Sequence, residues 1–222
     1  MKLLAIDTSS VACSVAFSND GAVLEEHVEQ PRQHTKILMP MIASLLQKGA
    51  LAVTDLDAIV LGNGPGSFVG MRIGASVAQG LCCGAGVGII PVSSLAAVAL
   101  EAMLDSAVQS VAVAQDARMN EVYLGCYVRD SNGLPVAEFD ECLCALTELP
   151  LSGSSYTAAG GGWERYPDLL LANRNQIKRV VPITVPRARH LLTLAGQSPQ
   201  IIAPEHLAPA YLRTKVAEKP VT

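Results

Sequence analysis

Apolar residues come in short runs along the first half of the chain and predict a strand, a hairpin, and then alternating helices and strands. Residues 3–6 are an apolar run ending at Asp7, residues 12–17 are a second, and Asn19-Asp20-Gly21 is a turn signal joining it to residues 23–28. Over residues 35–48 the apolar positions return at helical spacing, Gly49 stands where a C-cap glycine would, and residues 58–61 read as a buried strand. The loop Gly62-Asn63-Gly64-Pro65-Gly66-Ser67 precedes a helix predicted from about residue 70 to 84. Residues 89–92 are a strand, and Ser94 is placed to cap a helix running to about Leu104.

The second half starts the same way. A strand over residues 110–114 arrives at Asp116, residues 121–127 follow as a second, Asp130-Ser131-Asn132-Gly133 makes a turn, and residues 135–138 return. Asp116 and Gly133 follow Asp7 and Gly21 at nearly the same offset, and Gly160-Gly161-Gly162 echoes Gly62-Asn63-Gly64. A unit used twice predicts two similar α/β lobes, residues 1–105 and a smaller 106–222 that includes a C-terminal tail.

Composition narrows the function. Hydrophobic residues make up 50% of 222 residues and charged ones 16%, which excludes an intrinsically disordered chain. Lys+Arg 16 against Asp+Glu 20 leaves a net charge of −4, the wrong sign for a chain that grips nucleic acid by itself. The 6 cysteines fall into neither C-x-x-C pairs nor Cys/His groups of zinc spacing, so reduced thiols in a cytoplasmic protein and no bound metal are expected. Asp7 interrupts the opening apolar run too early for a signal peptide. The uncharged stretch between Arg72 and Glu101 is broken by Gly74, Gly80, Gly84 and Pro91, so no membrane span is expected.

Residues 62–74, G-N-G-P-G-S-F-V-G-M-R-I-G, are the most distinctive stretch. No Lys-Ser or Lys-Thr follows the glycines as in a Walker A loop, Ser67 occupies the third glycine of a dinucleotide fingerprint, and Pro65 and Val69 exclude a nucleophile elbow. Ser67 reads either as a helix cap or as a ligand contact. Arg72 in the first helical turn is expected to answer an anion or an acidic partner. Asp7 and Asp116, at the ends of equivalent strands, have the chemistry to hold a Mg²⁺-nucleotide between the lobes, and each reads equally as a turn-capping Asp. His34 lacks a second histidine at metal spacing.

Both predicted helices of the first lobe are apolar around most of their circumference. The first carries Ile37, Leu38, Met39, Met41, Ile42, Leu45 and Leu46, with Pro40 inside it. On the second, Ile73, Val77 and Leu81 are read as the core stripe. Met71, Ala75, Ala78 and Cys82 are then read as an outward face. Leu38, Met41, Ile42, Leu45, Met71, Ala75, Ala78 and Cys82 are thus the candidates for contact with another chain, and burial under the second lobe is the competing explanation.

These residues, A-I-D-T-S-S at 5–10, R-Q-H-T at 32–35, G-P-G-S-F-V-G-M-R-I-G at 64–74, D-A-R-M-N-E-V-Y at 116–123, G-G-W at 161–163 and P-A-Y-L-R at 209–213, resemble the bacterial tRNA threonylcarbamoyladenosine biosynthesis proteins of the TsaB (YeaZ) type over nearly the whole chain. Val69 replaces the threonine usual after the phenylalanine, and Gln115 replaces an aliphatic residue before Asp116.

The resemblance implies an actin-like, Hsp70-like ATPase fold of two ribonuclease-H-like lobes. It implies a non-catalytic partner of the transferase TsaD, which modifies N6 of adenosine 37 in tRNAs reading ANN codons, with the ATPase TsaE as third component. TsaD would be held through the two first-lobe helices, a homodimer would form through the same surface when the chain is alone, and tRNA would be met only through the complex. Asp7, His34, Ser67, Arg72, Asp116 and Arg118 would then be a vestigial nucleotide site or junction. No glycine follows Asp7 as in active relatives, so no cofactor is expected for the chain alone, and ATP or ADP with Mg²⁺ only in the complex. The rival reading is an enzyme in its own right, an actin-fold kinase using Asp7 and Asp116 or a peptidase.

Overall fold

The computed structural model describes residues 1–19, 21–152, 155–197 and 199–213; Asp20 of the expected first turn and the end of the expected tail lie outside them. The first sheet joins β1 (Leu3–Asp7), β2 (Ala12–Asn19), β3 (Ala22–Glu29), β4 (Ala58–Gly62) and β5 (Gly88–Val92) in the order β3-β2-β1-β4-β5. The hairpin strands pair antiparallel, and β1-β4 and β4-β5 pair parallel. The second sheet repeats this plan. β6 (Ser110–Arg118) and β7 (Glu121–Arg129) are its antiparallel pair, β8 (Pro135–Ala137) and β9 (Cys142–Ala145) both pair with the outer side of β7, and β10 (Tyr156–Ala159) and β11 (Ile177–Val180) extend parallel from β6. The duplicated pattern in the sequence is therefore a duplicated α/β topology, the arrangement of an actin-like ATPase fold.

Strand alternation gives each sheet two apolar faces. Leu4 and Ile6 of β1 pack with Val15, Phe17, Ile59 and Leu61 beneath α1 (His34–Lys48) and α2 (Phe68–Ala85). Leu3 and Ala5 point the other way, toward α6 (Ala188–Gln197). Between the two sheets lies α3 (Ser94–Ala102), whose Leu95, Val98 and Ala99 join the second-lobe core while Ala97 joins the first. Two shorter helices, α4 (Gly161–Arg165) and α5 (Pro167–Ala172), cover the far face of the second sheet. Because α6 packs on β1, β2 and β4, the chain returns to the first lobe after residue 187, which a single boundary at 105 does not express.

Several local expectations change. Ser93, not Ser94, caps α3, its hydroxyl accepting from the Ala96 N–H at 3.0 Å. Gly49 is helical (φ −79°) and the left-handed turn after α1 falls on Ala50 (φ 51°). The largest correction concerns α2. Met71, Ala75, Ala78 and Cys82 are its buried face, at 4%, 6%, 0% and 1% exposure, and Ile73, Val77 and Leu81 are only partly covered. On α1, Leu38, Met41, Ile42 and Leu45 are likewise core. All eight residues expected to meet another chain are buried inside this one. The reason is steric: small residues let α2 approach β4 and β1 closely, and the bulkier side chains take the rim.

The start of α6 is fastened to the sheet through its unsatisfied N–H groups. Ser14 Oγ accepts from Ala188 N at 2.9 Å and Glu25 accepts from Arg189 N at 3.1 Å; Glu25 also pairs with Arg187 and Arg189, each at 2.7 Å. Burial pushes the Glu25 carboxyl up, but hydrogen bonds from Arg187 and Arg189 and the two guanidinium charges hold it below its ordinary value. A depressed carboxylate stabilises above its unfolded pKa and loses that contribution as pH falls through the folded one. Glu25→Gln is therefore expected to cost about 1 to 2 kcal/mol at pH 7, discounted because both arginines are part-exposed, and the gap to wild type should close below about pH 4. Urea melts at the two pH values check it.

Candidate functional site

A cleft of about 880 Å³ separates the lobes. From the first lobe it is lined by residues 9–11, Arg32, His34 and the start of α2, and from the second by residues 115–119, Gly161 and Arg165, with Tyr211 and Arg213 closing one side. Asp116 faces this space; Asp7 does not line it. The expected pair of carboxylates is thus not brought together.

Asp7 is 1% exposed, and its oxygens are occupied by its own chain. Oδ1 accepts from the Ser9 N–H and the Ser9 hydroxyl, both at 2.8 Å, and Oδ2 accepts from Ser94 Oγ at 2.7 Å. A Cβ on Gly62 would sit 2.0 Å from Oδ2. Burial raises the Asp7 carboxyl, and the hydrogen bonds from Ser94 and Ser9 offset part of that rise. Ser94, missed as anything but a cap, is the residue that closes this site.

The glycine-rich loop is spent in the same way. A Cβ on Gly70 would lie 2.0 Å from the Thr8 carbonyl, while Thr8 Oγ1 donates to Gly70 O at 2.7 Å and Ser67 N donates to Ser9 O at 2.6 Å. Ser67 caps α2, accepting from Gly70 N at 3.3 Å. The backbone of this loop is packed against the turn after β1. These residues do not fit a Mg²⁺-nucleotide, and among the described residues no three His, Cys, Asp or Glu side chains are grouped to hold a metal ion.

The remaining candidates are also answered internally. His34, 8% exposed at the start of α1, lies with Nε2 3.1 Å from the Ala12 carbonyl. Arg72 meets aromatic faces rather than the expected anion. Its guanidinium stands 3.6 Å from the Phe68 ring centre, and Nε donates to Tyr211 Oη at 3.0 Å. Asp116 accepts from Arg118 N and Tyr166 Oη, each at 2.8 Å, and lies 3.3 Å from the Arg118 guanidinium. Burial and then the Asp116 carboxylate raise the Tyr166 phenol.

Arg118, Met119 and Asn120 all take left-handed backbone (φ 64°, 54° and 55°) at the β6–β7 turn. Arg213 holds that turn, donating to the carbonyls of Ala117 at 2.9 Å and Arg118 at 3.1 Å and pairing with Glu121. The sequence signal for Tyr211 and Arg213 is the P-A-Y-L-R string that contains them.

Beside the cleft, with which it shares His34, Thr35, Val69 and Ile73, α1 and α2 form an open, mostly apolar groove of about 510 Å³ that Met39 and Arg72 also line. Met39 is 47% exposed and Val69 64%. No helix among the described residues is long and apolar enough to cross a membrane.

The family model described as TsaD, tRNA N6-adenosine threonylcarbamoyltransferase, matches residues 23–156. Over 227 residues the chain is 39% identical to the tRNA threonylcarbamoyladenosine biosynthesis protein TsaB of Escherichia coli K12, covering 99% of this chain and 97% of that one. The Haemophilus influenzae TsaB is 36% identical, covering 99% and 96%. Among solved structures, YeaZ from Pseudomonas aeruginosa superposes with a TM-score of 0.86 at 34% identity, covering 95% of this chain and 99% of that one. Similarity over nearly the full length of both chains decides the matter, and the chain belongs to the TsaB (YeaZ) family of tRNA threonylcarbamoyladenosine biosynthesis proteins.

Proposed function

We propose that this chain is a non-catalytic subunit required for threonylcarbamoylation of N6 of adenosine 37 in tRNAs reading ANN codons, binding and stabilising a TsaD-type transferase, with TsaE as third component. The saturation of Asp7 by Ser9 and Ser94 carries the non-catalytic part: a carboxylate with every accessible oxygen already bonded is not available to a metal or a substrate. The outward groove of α1 and α2 offers TsaD an apolar face, and a second copy covers the same face when the chain is alone. The chain by itself takes no nucleotide or Mg²⁺, and tRNA is met only through the complex, in the cytoplasm.

Reconstitution tests this directly. Purified TsaD and TsaE, with the threonylcarbamoyl donor and tRNA, are expected to modify adenosine 37 only when this chain is added. Full modification without it overturns the reading. The isolated chain should also hydrolyse ATP no faster than background, because the Asp7 carboxylate that the kinase reading needs is bonded to Ser9 and Ser94. Turnover that disappears in Asp7→Asn would establish the kinase reading instead.

A further inference from the structure

The second lobe carries a pair of thiols that the proposed function does not use. Cys142 and Cys144 are two residues apart on β9, so their side chains leave the same face of the strand, and their sulfurs lie 3.4 Å apart. Both are half-buried. The other cysteines differ: Cys13, Cys82 and Cys126 are buried, and Cys83 is exposed on α2 next in sequence to inward-facing Cys82. Among the described residues β9 pairs only with β7, with Leu124 opposite Cys142 and Val122 opposite Cys144, so it is an edge strand.

We propose that Cys142 and Cys144 are a reversible dithiol–disulfide pair, oxidised by exchange with a small disulfide of the glutathione class. In the first step the Cys142 thiolate attacks one sulfur of the small disulfide; its S–S bond breaks, a mixed disulfide forms, and the released thiolate takes up a proton. Cys144 then loses its proton and attacks Cys142 Sγ, expelling the second small thiol. The protein dithiol gives up two electrons and two protons, and one disulfide becomes two thiols.

The sulfurs already face each other, and closing the bond strains the strand. Residues i and i+2 of a strand stand up to about 6.8 Å apart at Cα, the upper end of the range a disulfide spans. Bond formation draws the sulfurs together and puckers β9 locally, a distortion an edge strand accommodates on one side only. A bond closed under such strain is easily reduced, which makes the pair labile rather than structural. The order of attack follows from the pair itself. Burial, then hydrogen bonding to Cys142, pushes the Cys144 thiol up to about 12, so Cys144 is poorly suited to attack first.

The test equilibrates the full chain in glutathione buffers of rising oxidised share, blocks remaining thiols with iodoacetamide, and maps them by peptide mass spectrometry alongside tryptophan fluorescence. The peptide holding both residues is expected to pass from doubly alkylated to unalkylated with the loss of two hydrogens and no glutathione adduct. The change should occur with native fluorescence retained and reverse in excess reduced glutathione. Phenylarsine oxide, which condenses with two thiols and releases water, should bind one equivalent in wild type and in Cys83→Ser, and none in Cys142→Ser or Cys144→Ser. Full alkylation of both residues at the highest oxidised share overturns the proposal, as does a bond to Cys126 or to another chain, or oxidation only in parallel with unfolding.

Discussion

Ala78→Arg is expected to collapse the first lobe. Ala78 is fully buried on the face of α2 that packs with Leu61, Ile59 and Leu45. An arginine there buries a charge with no acidic partner, costing about 3 to 5 kcal/mol, and over-fills a close-packed layer for roughly 1 to 3 more. A total of roughly 4 to 8 kcal/mol is comparable to the whole stability of many domains. A melting temperature lowered by roughly 10 to 20 °C, or insoluble expression, is the expected result. Ala75→Arg should act in the same direction, less severely, because Ala75 keeps 6% exposure through which a long side chain can reach water. A soluble variant that melts like wild type would mean that this face of α2 is not core.

What was legible in the sequence, and what was not, divides along the kind of interaction. Asp7 and Asp116 on equivalent strands, the two hairpins and the repeated glycine clusters depend on local chemistry and period, and they point to two lobes of one topology. Which side of α2 faces inward depends on a tertiary distance. Ile73, Val77 and Leu81 look like a core stripe to any scale that ranks by hydrophobicity, but a helix lying close to a sheet puts its smallest residues at the contact. With both sides apolar, periodicity had no polar face to break the tie.

The cleft shows the same division. Glycines and a serine after a strand look alike in sequence whether they serve a phosphate or the chain's own backbone. Only the close approaches of Gly62 to Asp7 and Gly70 to Thr8 separate the two. Nothing near Asp7 in the chain pointed to Ser94, which meets it across 87 positions. Arg213 reaches back 95 positions to the turn at Arg118.

Met39→Arg is expected to separate association from folding. Met39 lies on the outward side of α1 at 47% exposure and lines the groove shared with Val69, Ile73 and Val77. Arginine and methionine have nearly equal helix propensities, and at an exposed position the substitution should change the stability of the free chain by at most about 0.5 kcal/mol. In a desolvated helix contact the same charge, added near Lys36, has no acidic neighbour on α1 to pair with. Truncating or unpairing a charge in such a contact costs about 2 to 5 kcal/mol, which corresponds to a loss of roughly thirty-fold to several thousand-fold in affinity. Titration calorimetry with TsaD should show that loss while thermal melting of the isolated variant coincides with wild type. If the proposed homodimer uses this face, sedimentation should show wild type self-associating at concentrations where the variant stays monomeric. Undiminished TsaD affinity in a well-folded variant would place the partner on another surface, and the exposed ends of the cleft around Arg118 and Arg165 would be the next to probe.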